Sequence, residues 1–191
     1  LIKIFAVIFF STAVGGLVFQ STTFSLPKVF DERLGELAVT ATSVGIFAFV
    51  VFALASVGQL IVGYLLDRVS LKLVFLVVAA IQAVFFTLMV GATGSVALAV
   101  SAVFMLAVFG QIPINDVLIG RITRSEWRSR VFGLRYIVTF SVSASSIPLI
   151  AWIYAFWGFD ALFWVLTVAA LTILIAVALL PAAAAQPKSV A

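Results

Sequence analysis

Few residues in this chain could do chemistry, and they fall into recognisable groups. The segment Gly63-Tyr64-Leu65-Leu66-Asp67-Arg68-Val69-Ser70-Leu71-Lys72 places a glycine, an acid and two bases in one short connection. An acid there can sit against the positive N-terminal end of a neighbouring helix, and Arg68 or Lys72 can pair with an acid elsewhere. Gly63 would let helices approach closely. Contacts of this kind can form in one conformation and break in another, so Gly63, Asp67, Arg68 and Lys72 are gating candidates. The plainer reading is a short loop whose basic residues only enforce topology.

Asp116 is the one carboxylate inside an expected span, and such an acid is a functional candidate because its desolvation is costly. It lies about one turn from Arg121. Three readings are open: an ion-pair gate with Arg68, Lys72 or Arg130, a solvated helix end, or a proton-coupling acid. Asp116→Asn separates them, since only the last loses proton-driven accumulation.

Neutral polar residues recur at helical spacing: Thr12, Gly16 and Gln20, then Ser101, Gln111 and Asn115, then Thr139, Ser143 and Ser146. They could face an aqueous cavity, with Gln20, Gln111, Asn115, Thr139 and Ser143 as its substrate-facing candidates. Small polar residues also pack helices, but a buried amide such as Gln111 or Asn115 must find partners. Pro113, between those two, removes a backbone donor and loosens the helix. Gln82 is expected in packing or towards lipid, and Ser141 with Ser145 as a small-residue packing pair. Trp152, Tyr154 and Trp157 read as an interfacial aromatic belt.

The absent residue types exclude whole classes of chemistry. With no cysteine and no histidine, disulfides, thiolate chemistry, imidazole acid-base work and the usual zinc and haem ligands are gone. No enzyme activity, metal or cofactor is expected, while proton or ion coupling stays open. The net charge of +4 is spread over eleven basic residues among apolar runs, which makes no nucleic-acid-binding face.

The elements that must carry these residues are membrane spans. Of the 191 residues, 65% are hydrophobic and 9% charged, and mean hydropathy is +1.34, against about half apolar and a quarter charged in soluble domains. The fold class is all-α, a polytopic membrane protein in a lipid bilayer. Six transmembrane helices are expected, at about 4–21, 41–66, 73–91, 96–119, 131–153 and 161–180, with Pro27 and the charged cluster after it closing the first. These make one bundle over 1–181, with 182–191 as a disordered cytoplasmic tail. Gly91-Ala92-Thr93-Gly94-Ser95 supplies the turn between the third and fourth. Lys3, Arg68, Lys72, Arg121, Arg124, Arg128, Arg130, Arg135 and Lys188 fall on one side, and Lys28 and Arg33 on the other with four of the acids. The positive-inside rule then puts both termini in the cytoplasm. Because the first residue is Leu1 rather than Met, the sequence is expected to start inside a longer reading frame or after processing.

The Gly63 to Lys72 segment resembles the signature of the major facilitator superfamily of secondary transporters, Gly-x-x-x-Asp-Arg/Lys-x-Gly-Arg-Arg/Lys. It matches at Gly63, Asp67, Arg68 and Lys72 and departs at Ser70 and Leu71. Such weakening is usual in the second copy of the motif, and Arg128-Ser129-Arg130-Val131-Phe132-Gly133-Leu134-Arg135 before a Ser-rich helix with Pro148 is similar to the family's tenth-to-eleventh connection. The resemblance implies the C-terminal six-helix half of a transporter, moving a small-molecule solute by alternating access. Its partner would be an N-terminal six-helix half on the same polypeptide, whose fifth helix would face Asp67. The first, second, fourth and fifth helices would line the pathway, and the expected location is the bacterial inner (plasma) membrane. The competing class is a self-contained six-helix structural subunit or intramembrane enzyme, for which no Ser-His pair, paired acids or phosphate loop is visible.

Overall fold

A computed structural model describes residues 2–123 and 125–180; Arg124, Lys188 and the expected tail at 182–191 lie outside the described residues. The chain is all-α. Helix α1 spans Ile2–Arg33, α2 Ala41–Arg68, α3 Leu71–Met89, α4 Gly94–Ile122 and α5 Ser125–Ala178, with a short 3-10 turn at Gly35–Leu37. All five helices are long and apolar enough to cross a membrane.

Three expectations about boundaries are corrected. α1 does not end at Pro27 but carries it inside and continues to Arg33. Proline removes one backbone donor from the helix, and the polar side chains just before it turn back onto the backbone. Thr22 Oγ1 donates to Val18 O at 2.8 Å and Ser25 Oγ to Ser21 O at 2.6 Å. The helix stops where Gly35 takes a positive φ of 53°, a conformation that costs glycine little. At the other end of the chain, the expected fifth and sixth helices form one 54-residue element, interrupted by Gly158 at φ 73° and ψ −173°. Its two arms, 125–157 and 159–178, are therefore joined by one non-helical residue instead of a loop. The first arm also starts earlier than the expected 131, at Ser125.

The shorter connections follow local chemistry. Thr40 and Ser43 form a reciprocal cap at the start of α2, satisfying donors that a helix N-terminus leaves open. Ser70 Oγ accepts from Leu73 N–H at 3.4 Å and caps α3. The α3–α4 hairpin turns at Gly91 and Gly94, both with positive φ.

α2 packs along α4, α3 lies against α4 and the second arm of α5, and α1 lies against the first arm. The core forms two apolar clusters stacked along the bundle. One is built on Phe30, Phe86, Phe104 and Phe163, the other on Leu66, Leu71, Phe75, Leu118 and Ile173. Gln82 and Gln111 meet at the level between them. Gln82 is fully buried and donates from Nε2 to Ala107 O at 3.2 Å and to Gln111 Oε1 at 2.8 Å, so it packs between helices and does not face lipid.

The close crossing of α2 and α4 depends on glycines other than the one expected. A Cβ on Gly58 would stand 2.6 Å from Leu106 O, and one on Gly110 would stand 2.7 Å from Val62 Cγ2. A Cβ on Gly63 would meet nothing within 4 Å, so Gly63 allows no close approach within this chain. Ser141 and Ser145 are likewise exposed rather than packed, with Ser145 Oγ bonding back to Ser141 O at 2.9 Å.

Gly58→Ala is expected to lower stability by about 1–3 kcal/mol through overpacking against backbone. Gly63→Ala should leave it unchanged or raise it by up to about 1 kcal/mol through helix propensity. Thermal denaturation of the two variants in detergent distinguishes these outcomes.

Candidate functional site

A cavity of about 200 Å³ lies between α1, α4 and the first arm of α5. α1 contributes Thr12, Gly15, Gly16 and Phe19, α4 contributes Gln111, Asn115 and Asp116, and α5 contributes Arg135, Tyr136, Thr139 and Ser143. Four of the five substrate-facing residues expected from the sequence thus converge here: Gln111, Asn115, Thr139 and Ser143. Gln20 is half-buried on α1 and does not line the cavity, and neither do Ser101 and Ser146. Those two serines are buried and bonded to their own helices, to Leu98 O and Ser143 O at 2.7 Å each. α2, expected to share the lining, contributes nothing to it.

The lining carries polar atoms that the protein leaves without partners. Thr12 Oγ1, Gln111 Nε2, Asn115 Oδ1, Arg135 Nε and Thr139 Oγ1 are all buried and make no hydrogen bond. An unpaired buried polar atom costs about 1–3 kcal/mol, so five around one cavity is a concentration that folding alone does not reward. Gly15 makes room for it, because a Cβ there would stand 2.6 Å from Gln111 Nε2 and 3.8 Å from Asn115 Nδ2.

Asp116 is ion-paired, but with none of the expected partners. Its Oδ1 accepts from Arg135 Nη1. The sequence reading groups Arg135 with the bases of the cytoplasmic side although it falls within the expected helix 131–153; because α5 starts at Ser125, Arg135 stands ten residues into the helix, about 15 Å along its axis at 1.5 Å per residue. The signal available in the sequence was Arg135 itself, the last base of the basic segment and the one closest to the polar helix face at Thr139 and Ser143.

The other expected gating residues remain apart from Asp116. Arg130 is exposed, with its guanidinium 4.9 Å from the Trp127 ring centre. Arg68 stacks on Tyr64 at 3.6 Å. Lys72 Nζ donates to Ala178 O at 2.8 Å and Leu180 O at 2.6 Å, holding the carbonyl end of the last helix as a cation should. Arg121 Nη2 does the same for Leu66 O of α2, at 3.1 Å. Asp67 is exposed and makes no ion pair among the described residues. The two departures from the transporter signature both have structural work: Ser70 caps α3, and Leu71 is fully buried in the core.

A second polar hub, at the opposite end, had no counterpart in the sequence reading. Arg33 Nη2 donates to Asp160 Oδ1 at 2.5 Å, Arg33 Nη1 donates to Met89 O at 2.5 Å, and Asp160 Oδ1 also accepts from Gly91 N–H at 2.9 Å. One half-buried guanidinium therefore ties the end of α1 to the α3–α4 hairpin and to α5 just after its break. Nearby, Tyr154 Oη donates to Glu32, while Lys28 pairs locally with Asp31 at 2.8 Å.

The family model described as Major Facilitator Superfamily matches residues 8–191. No curated protein matches the chain.

Two contrasts test these assignments by thermal denaturation in detergent. Asn115→Leu is expected to hold or raise stability by about 1 kcal/mol, since it removes an unpaired acceptor, whereas Gln82→Leu, which orphans Gln111 Oε1, lowers it by about 1–3 kcal/mol. Arg33→Ala should cost about 1–3 kcal/mol through lost tertiary bonds, and Lys28→Ala about 0.5 kcal/mol or less because its pair is local and solvated.

Proposed function

The chain belongs to the major facilitator superfamily, and from that premise we propose that it moves a small solute across a membrane by alternating access, as the C-terminal half of a twelve-helix secondary transporter. The observation that carries this reading is the cavity itself: of eight buried side-chain polar atoms without partners among the described residues, five belong to the residues that line it between α1, α4 and the first arm of α5. A bilayer offers such atoms no partners, so they are accounted for by a solute that passes.

In this reading α5 crosses twice, its arms separated at Gly158, and the six crossings leave both termini in the cytoplasm of a bacterial inner membrane. The positive-inside distribution supports that orientation. An N-terminal half on the same polypeptide would close the open side of the cavity, since major facilitator halves are related by an axis along the membrane normal and bind at their shared midplane. Exposed Asp67, at the C-terminal end of α2, is placed to meet the positive end of a helix from that half. Arg68 and Lys72 serve the same loop, one stacked on Tyr64 and one holding the end of the last helix. Proton or ion coupling would need a titratable group in the pathway, and Asp116 is the cavity's own carboxylate. The chain's side chains supply binding and gating, not bond chemistry.

These 191 residues contain no cysteine, so a single cysteine introduced here stands alone in this half, and the test is made in membranes on the full protein with any cysteine outside this segment replaced by serine. Thr139→Cys and Ser143→Cys should react with a charged, membrane-impermeant thiol reagent added from the cytoplasmic side, while Val84→Cys, on the exposed apolar face of α3, should not. Freezing the transporter open to the outside should slow cytoplasmic labelling at Thr139→Cys about tenfold or more. Labelling at Val84→Cys equal to that at Thr139→Cys, or none at either cavity position, would count against a solute pathway here.

A further inference from the structure

The Arg135–Asp116 pair is asymmetric in a way that points to the solute. The Arg135 side chain is 10% exposed and that of Asp116 47%. Only one N–H of the guanidinium, on Nη1, reaches Asp116, and only through Oδ1. Arg135 Nε is buried at the cavity and has no acceptor. A guanidinium presents its N–H groups as a planar fork that matches a carboxylate through two parallel bonds. Here that fork is half used, and the partner that uses it is the more exposed of the two side chains.

Resting on the transport reading above, we propose that the cavity binds a small solute carrying a carboxylate, which takes the Nε edge of Arg135 while Asp116 yields towards solvent. The buried cation cannot rehydrate, so it needs an anion at every stage, and exchange of one carboxylate for another keeps it paired throughout. The remainder of the solute meets a neutral, hydrogen-bonding wall: Gln111 Nε2 donates, Asn115 Oδ1 accepts, and the hydroxyls of Thr12 and Thr139 do either. Gly15 holds this wall open, since a methyl there would meet Gln111 Nε2 at 2.6 Å. The solute class that fits one cation beside a neutral wall of donors and acceptors is accordingly a polar hydroxy- or amino-monocarboxylate, and not an apolar cation.

The distinguishing measurement compares acids with their neutral amides on the purified full chain, using lactate against lactamide and alanine against alaninamide, read by ligand-induced thermal shift and equilibrium binding. The acids should bind at least tenfold more tightly than the amides, as expected for loss of a charge-assisted pair. Arg135→Gln should erase that preference, Arg135→Lys should keep part of it, and Asp116→Asn should hold or tighten acid binding several-fold because the competing carboxylate is gone. The last variant guards against misfolding, since a merely damaged protein cannot bind more tightly. Equal binding of acid and amide, no binding of either acid, or an acid preference that survives Arg135→Gln overturns the assignment. If it falls while Thr139→Cys still labels from the cytoplasmic side, the transport reading stands with a different solute class. If labelling fails as well, both fall together.

Discussion

Lipid does not solvate polar groups, and that constraint organises everything else in this chain. Every backbone N–H and C=O within the bilayer must be paired by the protein, which leaves helices as the way for a 65% hydrophobic chain of this length to cross. It also removes the ordinary force that assembles a soluble core, because lipid tails are as apolar as leucine. Association then depends on close contact and on polar bonds between helices. Both are visible: the glycine-mediated crossing of α2 and α4 at Gly58 and Gly110, and the Gln82 amide reaching across to Ala107 and Gln111. Against that background, a cluster of buried polar atoms without partners is not incidental.

The two ends of the bundle are built on different principles. At the end carrying Lys28, Arg33 and most of the acids, a single guanidinium joins three elements, and its carboxylate partner also holds the α3–α4 hairpin. At the basic end, cations cap individual helices, Lys72 on the last and Arg121 on α2, while Asp67 and Arg130 face outwards. Both arrangements lock elements of this chain to one another, since Lys72 reaches from α3 to the end of α5 and Arg121 from α4 to α2. The second also leaves Asp67 and Arg130 displayed on the surface, as a contact with another body requires.

The parts of this architecture that could be read from sequence are those set by local composition. Hydropathy located the helices, the turn residues located the hairpin at Gly91 and Gly94, and helical spacing gathered Gln111, Asn115, Thr139 and Ser143 onto one cavity. What could not be read depends on residues far apart in the chain. Arg33 and Asp160 are 127 positions apart, and nothing local marks them as partners. Asp116 was matched to the wrong bases because Arg135, although inside the expected helix 131–153, was counted only as a charge of the cytoplasmic side. α1 likewise runs past Pro27 and the first charges after it to Arg33. Gly63 was credited with close packing because it sits in a motif, but contact depends on which helix face a neighbour occupies, and that neighbour lies at Gly58.

The placement of Arg135 also bears on why the cavity sits where it does. A guanidinium that deep would be costly unless paired, and the chain supplies a single carboxylate on the facing helix, half in contact with solvent. Exposure does not distinguish this pair from Arg33–Asp160, whose carboxylate is 53% exposed against 47% for Asp116. What differs is the rest of each hub: Arg33 also donates to Met89 O and Asp160 also accepts from Gly91 N–H, whereas Arg135 leaves its Nε unpaired. The first pair is fixed from several sides, and the second can exchange its partner. The neutral donors and acceptors next to it can hold a polar solute without adding net charge to the pathway, so the site's electrostatic balance rests on Arg135 and Asp116 alone among its lining residues.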